Sequence, residues 1–190
     1  MWVPHRYRAP PSRPDSTGIK RLAPVSPAVF PVSGDWTAAR AEEYLTDRRI
    51  PVRLACRTPD GGLWMLSLWY LVRDGALHCA TGADADVVRY LREDPSVAFE
   101  VSDNEPPYCG VRGAGTATIT PDEGKALLRE LMERYLGGTD HELGRKLLHP
   151  DREEVHLRID PERAYTWDFG DRMGDAVADS GTGTTGDAED

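Results

Sequence analysis

Cysteine is scarce in this chain. Cys56, Cys79 and Cys109 are the only three, an odd and widely spaced set, which excludes a disulfide framework and a thiolate zinc site. Cys56 and Cys79 fall in strand-like runs and read as buried small hydrophobes, whereas Cys109 falls in a loop. No apolar run approaches the ~18–20 residues of a membrane span. Prolines interrupt the N-terminal stretch where a secretory leader would carry its apolar segment, so a cytoplasmic protein is expected. A basic excess is also missing: the formal net charge is −9, which argues against general nucleic-acid affinity. There is no Gly-x-Ser-x-Gly elbow and no His-Glu-x-x-His helix, so no hydrolase constellation stands out. The histidines His5, His78, His141, His149 and His156 show no ligand-like spacing.

What remains is a chain of 190 residues with 39% hydrophobic content, enough for one packed domain with tails. Residues 1–34 form a proline-rich arm containing Pro4, Pro10, Pro11, Pro14, Pro24, Pro27 and Pro31, where regular structure is not expected. That arm reads either as merely extended or as wrapping a partner subunit through Trp2, Tyr7 and Phe30. Residues 174–190 are acidic and of low complexity, a composition expected to be disordered. The domain is placed at 35–173.

Within the domain, Arg73-Asp74-Gly75 between apolar runs is a hairpin signal, since glycine takes the positive φ of a tight turn. Leu63–Val72 and Ala76–Thr81 are the two strands on either side. Ile50–Arg57, Ser96–Ser102, Val111–Thr120, Glu154–Ile159 and Ala164–Phe169 also read as strands. Helices are predicted over Trp36–Arg48 with Asp35 as cap, over the stretch from Asp84 to Glu93, from a Thr120–Glu123 capping box to about Leu136, and from a Thr139–Glu142 box to Leu148. The order describes a mainly β protein with peripheral helices: a small antiparallel barrel with one inserted helix.

The wording of several pieces, in order, resembles the FMN-binding split-barrel family of pyridoxamine 5′-phosphate oxidase-like proteins. These are Ser67–Tyr70, Asp74–Thr81, Val88–Pro95, Gly110–Gly115 and Trp167–Met173. The resemblance covers roughly residues 36 to 173. It implies an antiparallel split β-barrel and a homodimer with a flavin-type cofactor at its interface. It implies hydride or electron transfer to an unidentified small-molecule substrate, the protein supplying binding and orientation. FMN is the first choice of cofactor, the deazaflavin coenzyme the second, and haem a less favoured third with His78 as ligand. A non-catalytic binding or regulatory protein with a degenerate site is the competing class.

Carried onto this sequence, the resemblance places Trp69 beside the isoalloxazine and the backbone of Leu66, Ser67 and Leu68 against the ring's polar edge. It places the cofactor phosphate near Ala80, Thr81 and the helix start at Asp86, Val87 and Arg89. Relatives usually supply a hydroxyl and a Lys or Arg there; the matching positions are Ala85 and Val87, with Asp84 and Asp86 adding negative charge. A lysine restored at position 87 is therefore expected to tighten FMN binding. Arg112, in a glycine-rich strand, reads either as an ion-pair residue or as a group that meets an anion across the dimer. Trp167 and Arg172 match the family's C-terminal signature, and read alternatively as a barrel-closing tryptophan and a surface arginine. Arg89 reads equally as a solvated helix position.

Overall fold

The computed structural model describes residues 31–173. The proline-rich arm, with Trp2, Tyr7 and Phe30, and the acidic tail lie outside the described residues, except for the last residues of the arm. Strand β1 (Val32–Gly34) and helix α1 (Ala38–Asp47) open the domain. Strands β2 (Val52–Arg57), β3 (Leu63–Leu68), β4 (Tyr70–Arg73) and β5 (Ala76–Gly82) follow. Helix α2 (Asp86–Glu93) precedes β6 (Ser96–Ser102) and the long β7 (Cys109–Pro121). Helices α3 (Ala126–Leu136) and α4 (Glu142–Leu147) then lead to β8 (Glu154–Asp168).

The strands form one eight-stranded sheet in the order β3-β2-β6-β7-β8-β5-β4, with β1 added to β8. All pairings are antiparallel except the short β1–β8 pair. Strands β3 and β4 lie at opposite ends of this path, yet only Trp69 separates them in the chain. The sheet must therefore curl until its two edges meet, which makes a half-open barrel. The continuous apolar run Leu63–Val72 conceals this break, so the sequence reads as one strand what the fold divides into two. Trp69 marks the seam.

The hairpin turn is as read: Asp74 and Gly75 both have positive φ, 47° and 68°, the pairing of dihedrals that matches the strand twist. Leu54, Leu77, Leu157, Ile159 and Val52 fill the barrel with no exposure, each burial contributing about 1.5–3 kcal/mol. Tyr70 is also fully buried, and its hydroxyl donates to the Leu45 carbonyl at 2.8 Å, so that hydroxyl is not stranded. Cys56 and Cys79 are buried as expected.

Helix starts differ from the sequence reading. Thr37, not Asp35, caps α1, accepting from the Arg40 amide; Asp35 instead accepts from the Asp168 amide. β7 runs through Thr120 to Pro121, so the Thr120 capping box does not form. Asp122 caps α3 after a 3-10 turn, its two carboxylate oxygens accepting from the Leu127 and Leu128 amides at 3.0 Å each. His141 caps α4 through Nδ1, so the Thr139 box does not form either. The closing strands are one, β8. An extra residue, Glu162, interrupts its register opposite Ala114 and Gly115, and that bulge carries Pro161, which cannot donate to the ladder.

Candidate functional site

Where the sheet edges meet, a pocket of about 200 Å³ opens between β3, β5 and the helices after β7. Ser67, Leu68 and Trp69 line it from the seam, Ala80 and Thr81 from β5, Glu154 from the start of β8 and Arg152 from the segment just before it. Two sets of residues more than ten positions apart, singled out on the sequence for one cofactor, thus share a single pocket. The indole of Trp69 stacks on Tyr135 of α3, ring centroids 5.4 Å apart and planes 14° from parallel. That stack fixes the indole as a wall. Leu66 sits one turn of the pleat away and packs on the core. Strand β3 is paired on one side only, so alternate backbone N–H and C=O groups along it have no strand partner among the described residues.

The other residues expected at the site lie elsewhere. Val87 is 1% exposed and belongs to the core, because the first turn of α2 faces its apolar side inward. A lysine there would be buried, not presented to a phosphate, which corrects the expectation for position 87. Ala85 ends the loop with no side-chain cap bond. Arg89 and Asp86 pair with each other at 2.7 Å on the outer face of α2, and Arg89 also lies over Tyr90, 4.9 Å from the ring centre.

Arg112 stands on the outer face of the sheet, over the rings of Tyr165 and Trp167 at 5.2 Å from each centroid. It has no carboxylate partner among the described residues, so the ion-pair reading gives way to two cation–π contacts. It borders a shallow groove of about 510 Å³ with Arg53, Met65, Ala98, Ala114 and Arg163. The glycines beside it are explained internally: a Cβ on Gly113 would lie 2.3 Å from the Arg163 carbonyl oxygen and 2.7 Å from Phe99. What approaches that backbone closely is the protein itself. Arg172 lies over Phe169 in a third place, near Trp36 and Asp168.

The sequence reading missed Arg152 and Glu154. Their isolated signal is weak: one Arg and one Glu in a charged stretch before a strand. Only the β5–β8 register, which pairs Gly82 with Glu154, brings them to the pocket. Glu154 is nearly completely buried and takes the Arg152 Nε–H.

His78, the residue expected as a haem ligand, has both ring nitrogens engaged: Nδ1 with His156 Nε2 at 2.8 Å and Nε2 with the Arg73 carbonyl at 3.2 Å. No group of three or more His, Cys, Asp or Glu suited to a metal exists among the described residues. Cys109 sits against Asp103, and burial together with that carboxylate pushes its thiol up to about 11, which leaves little thiolate at neutral pH. No described helix is long and apolar enough to cross a membrane.

No family model and no curated protein matches the chain. Solved structures do. The conserved hypothetical protein Rv2991 of Mycobacterium tuberculosis is 25% identical with a TM-score of 0.58, covering 82% of this chain and 94% of that one. An F420 reductase is 26% identical with a TM-score of 0.52, covering 64% and 94%. A Listeria innocua protein assigned to the pyridoxamine 5′-phosphate oxidases is 15% identical with a TM-score of 0.50, covering 67% and 93%, a likeness of fold. The curled antiparallel half-barrel with its helices is the split β-barrel of the pyridoxamine 5′-phosphate oxidase-like proteins.

Proposed function

We propose that this protein is a flavin-dependent oxidoreductase that holds FMN, or secondarily the deazaflavin coenzyme, at the seam pocket of a homodimer in the cytoplasm. The observation that carries the reading is the convergence of Ser67, Leu68 and Trp69 with Ala80 and Thr81 in one pocket. A flat aromatic wall, one-sided backbone hydrogen-bonding groups on β3 and a hydroxyl at Thr81 suit a planar ring with a polar edge. The likeness to an F420 reductase supports the same class.

The pocket's size supports the dimer. About 200 Å³ falls below the ~300–1,000 Å³ that small-molecule sites usually enclose. On this reading one chain covers one part of the flavin and a second copy covers the rest. Leu63 and Met65 on the outer side of β3 are 81% and 68% exposed, and with the Arg112 groove they give the sheet an apolar outer face that a second barrel would bury. When bound, the cofactor supplies the hydride or electron transfer. The chain's residues bind it, orient it and exclude water.

The test is fluorescence titration of riboflavin, FMN and the deazaflavin coenzyme with purified protein, alongside sedimentation. Saturable quenching by a dimer supports the reading. A protein that binds none of the three leaves a split barrel with a binding or regulatory role.

A further inference from the structure

We infer that Arg152 is the seat of the cofactor's phosphate, supplying the cation that α2 does not turn to the pocket. The inference rests on the flavin reading above. Position 87 is buried and position 85 is alanine, and Arg89, the one basic group in the first turn of α2, is taken up by Asp86 at 2.7 Å on the outer face. Arg152 approaches the same turn from the segment just before β8. Its Nη2 lies 3.1 Å from where a Cβ on Gly82 would stand, beside Thr81 and Ala80 in the seam pocket. Any side chain at Gly82 would press on the guanidinium and on Asp84; glycine leaves both in place.

The guanidinium is aimed by its neighbour. Glu154, two residues on and nearly completely buried, accepts the Nε–H. Neither terminal amino group of Arg152 has a protein hydrogen-bond acceptor among the described residues, and the side chain is 41% exposed. A planar fork held at its root with both tips free is the geometry that grips a phosphate bidentately. Glu154 is then a positioning residue.

The groove outside the fork limits what can follow the phosphate. Arg92, Lys125, Arg129 and Lys146 line it, but so do Asp84, Asp122, Glu123, Asp151, Glu153 and Glu154. This balance gives no net attraction to a tail of further negative groups, so the seat suits one terminal phosphate, as in FMN.

The experiment compares riboflavin and FMN affinity in the wild type, in Arg152→Lys and in the double variant Arg152→Ala/Glu154→Gln. The double variant avoids leaving a buried carboxylate unpaired, which by itself would threaten folding. The wild type should prefer FMN to riboflavin by about 10- to 100-fold, the range of charge-assisted hydrogen bonds. Inorganic phosphate should compete with FMN and not with riboflavin. The double variant should bind both flavins alike, and Arg152→Lys should keep part of the preference. Equal wild-type affinity for the two flavins, or a preference that survives in the double variant, overturns the seat and leaves the flavin reading standing. If neither flavin binds, phosphate titration followed by thermal shift decides. Stabilisation lost in the double variant upholds the seat without the flavin; no stabilisation removes both.

Discussion

The imidazoles of His78 and His156 are hydrogen-bonded to each other, Nδ1 to Nε2 at 2.8 Å, as a diagonal pair across β5 and β8. In such a contact one ring donates and the other accepts, so the pair is satisfied when both are neutral. Burial is the largest cause that pushes both imidazoles below their ordinary value of 6.5. The nearby guanidinium groups of Arg158 and Arg73 push the same way, against the Arg73 carbonyl at His78 and the Asp122 carboxylate at His156.

A stability profile follows from the sign of that shift. Because the folded state disfavours protonation of these rings, the unfolded chain binds more protons as pH falls through 6.5, and stability falls with it. The contribution is complete above that pH. Melting temperature should decline from pH 7.5 to pH 5.5, and His156→Gln should flatten the decline. Parallel profiles for the two proteins would show that the pair does not carry it.

Replacing Trp69 separates binding from folding. Trp69→Ala removes the half-buried indole from Tyr135 and should cost about 2 kcal/mol of stability, less than the ~3–5 kcal/mol of a fully buried tryptophan. It should also abolish flavin quenching in a protein that still melts cooperatively. Trp69→Phe should retain most of both. Thermal melts beside flavin titrations distinguish the two effects.

Position 87 gives the opposite pattern. Val87→Lys places an ammonium in the core beside Val88 and Leu91, and about 3 kcal/mol or more of destabilisation is expected. Urea unfolding at neutral pH reads it directly. Unchanged stability together with tighter FMN binding would show that the first turn of α2 presents this side chain outward.

Arg112 tests the outer sheet face. A cation–π contact such as those with Tyr165 and Trp167 is worth about 0.5–1 kcal/mol at an exposed site, so Arg112→Ala should barely move the melting temperature. It should shift the monomer–dimer equilibrium toward monomer in sedimentation. A large loss of thermal stability with no change of assembly would make Arg112 a residue of the fold alone.

Removing the α3 cap checks a local rule. Asp122→Ala strips the acceptor from the Leu127 and Leu128 amides and should cost about 1–2 kcal/mol with flavin affinity nearly unchanged. Chemical denaturation and flavin titration together check it.

Much of the architecture was legible because local chemistry decided it. Asp74-Gly75 specified its turn, and alternation in Ser96–Ser102 marked a half-buried strand. The break at Trp69 was not legible, since a strand that changes sheet edges mid-run keeps its apolar composition. The caps failed where a longer-range pairing won: β8 carries β7 on through Thr120 and leaves capping to Asp122. At the pocket, Ser67–Trp69 and Ala80–Thr81 were legible through family resemblance. Arg152 was not, because strand register, invisible in sequence, brings it to Gly82.

The central claim is tested most directly by backbone amide and indole NMR shifts on adding FMN to the labelled protein. The account predicts the largest shifts at Ser67, Leu68, the Trp69 indole, Ala80 and Thr81, with saturation. Shifts confined to the outer-face groove around Ala98 and Ala114, or none at saturating FMN, would contradict it.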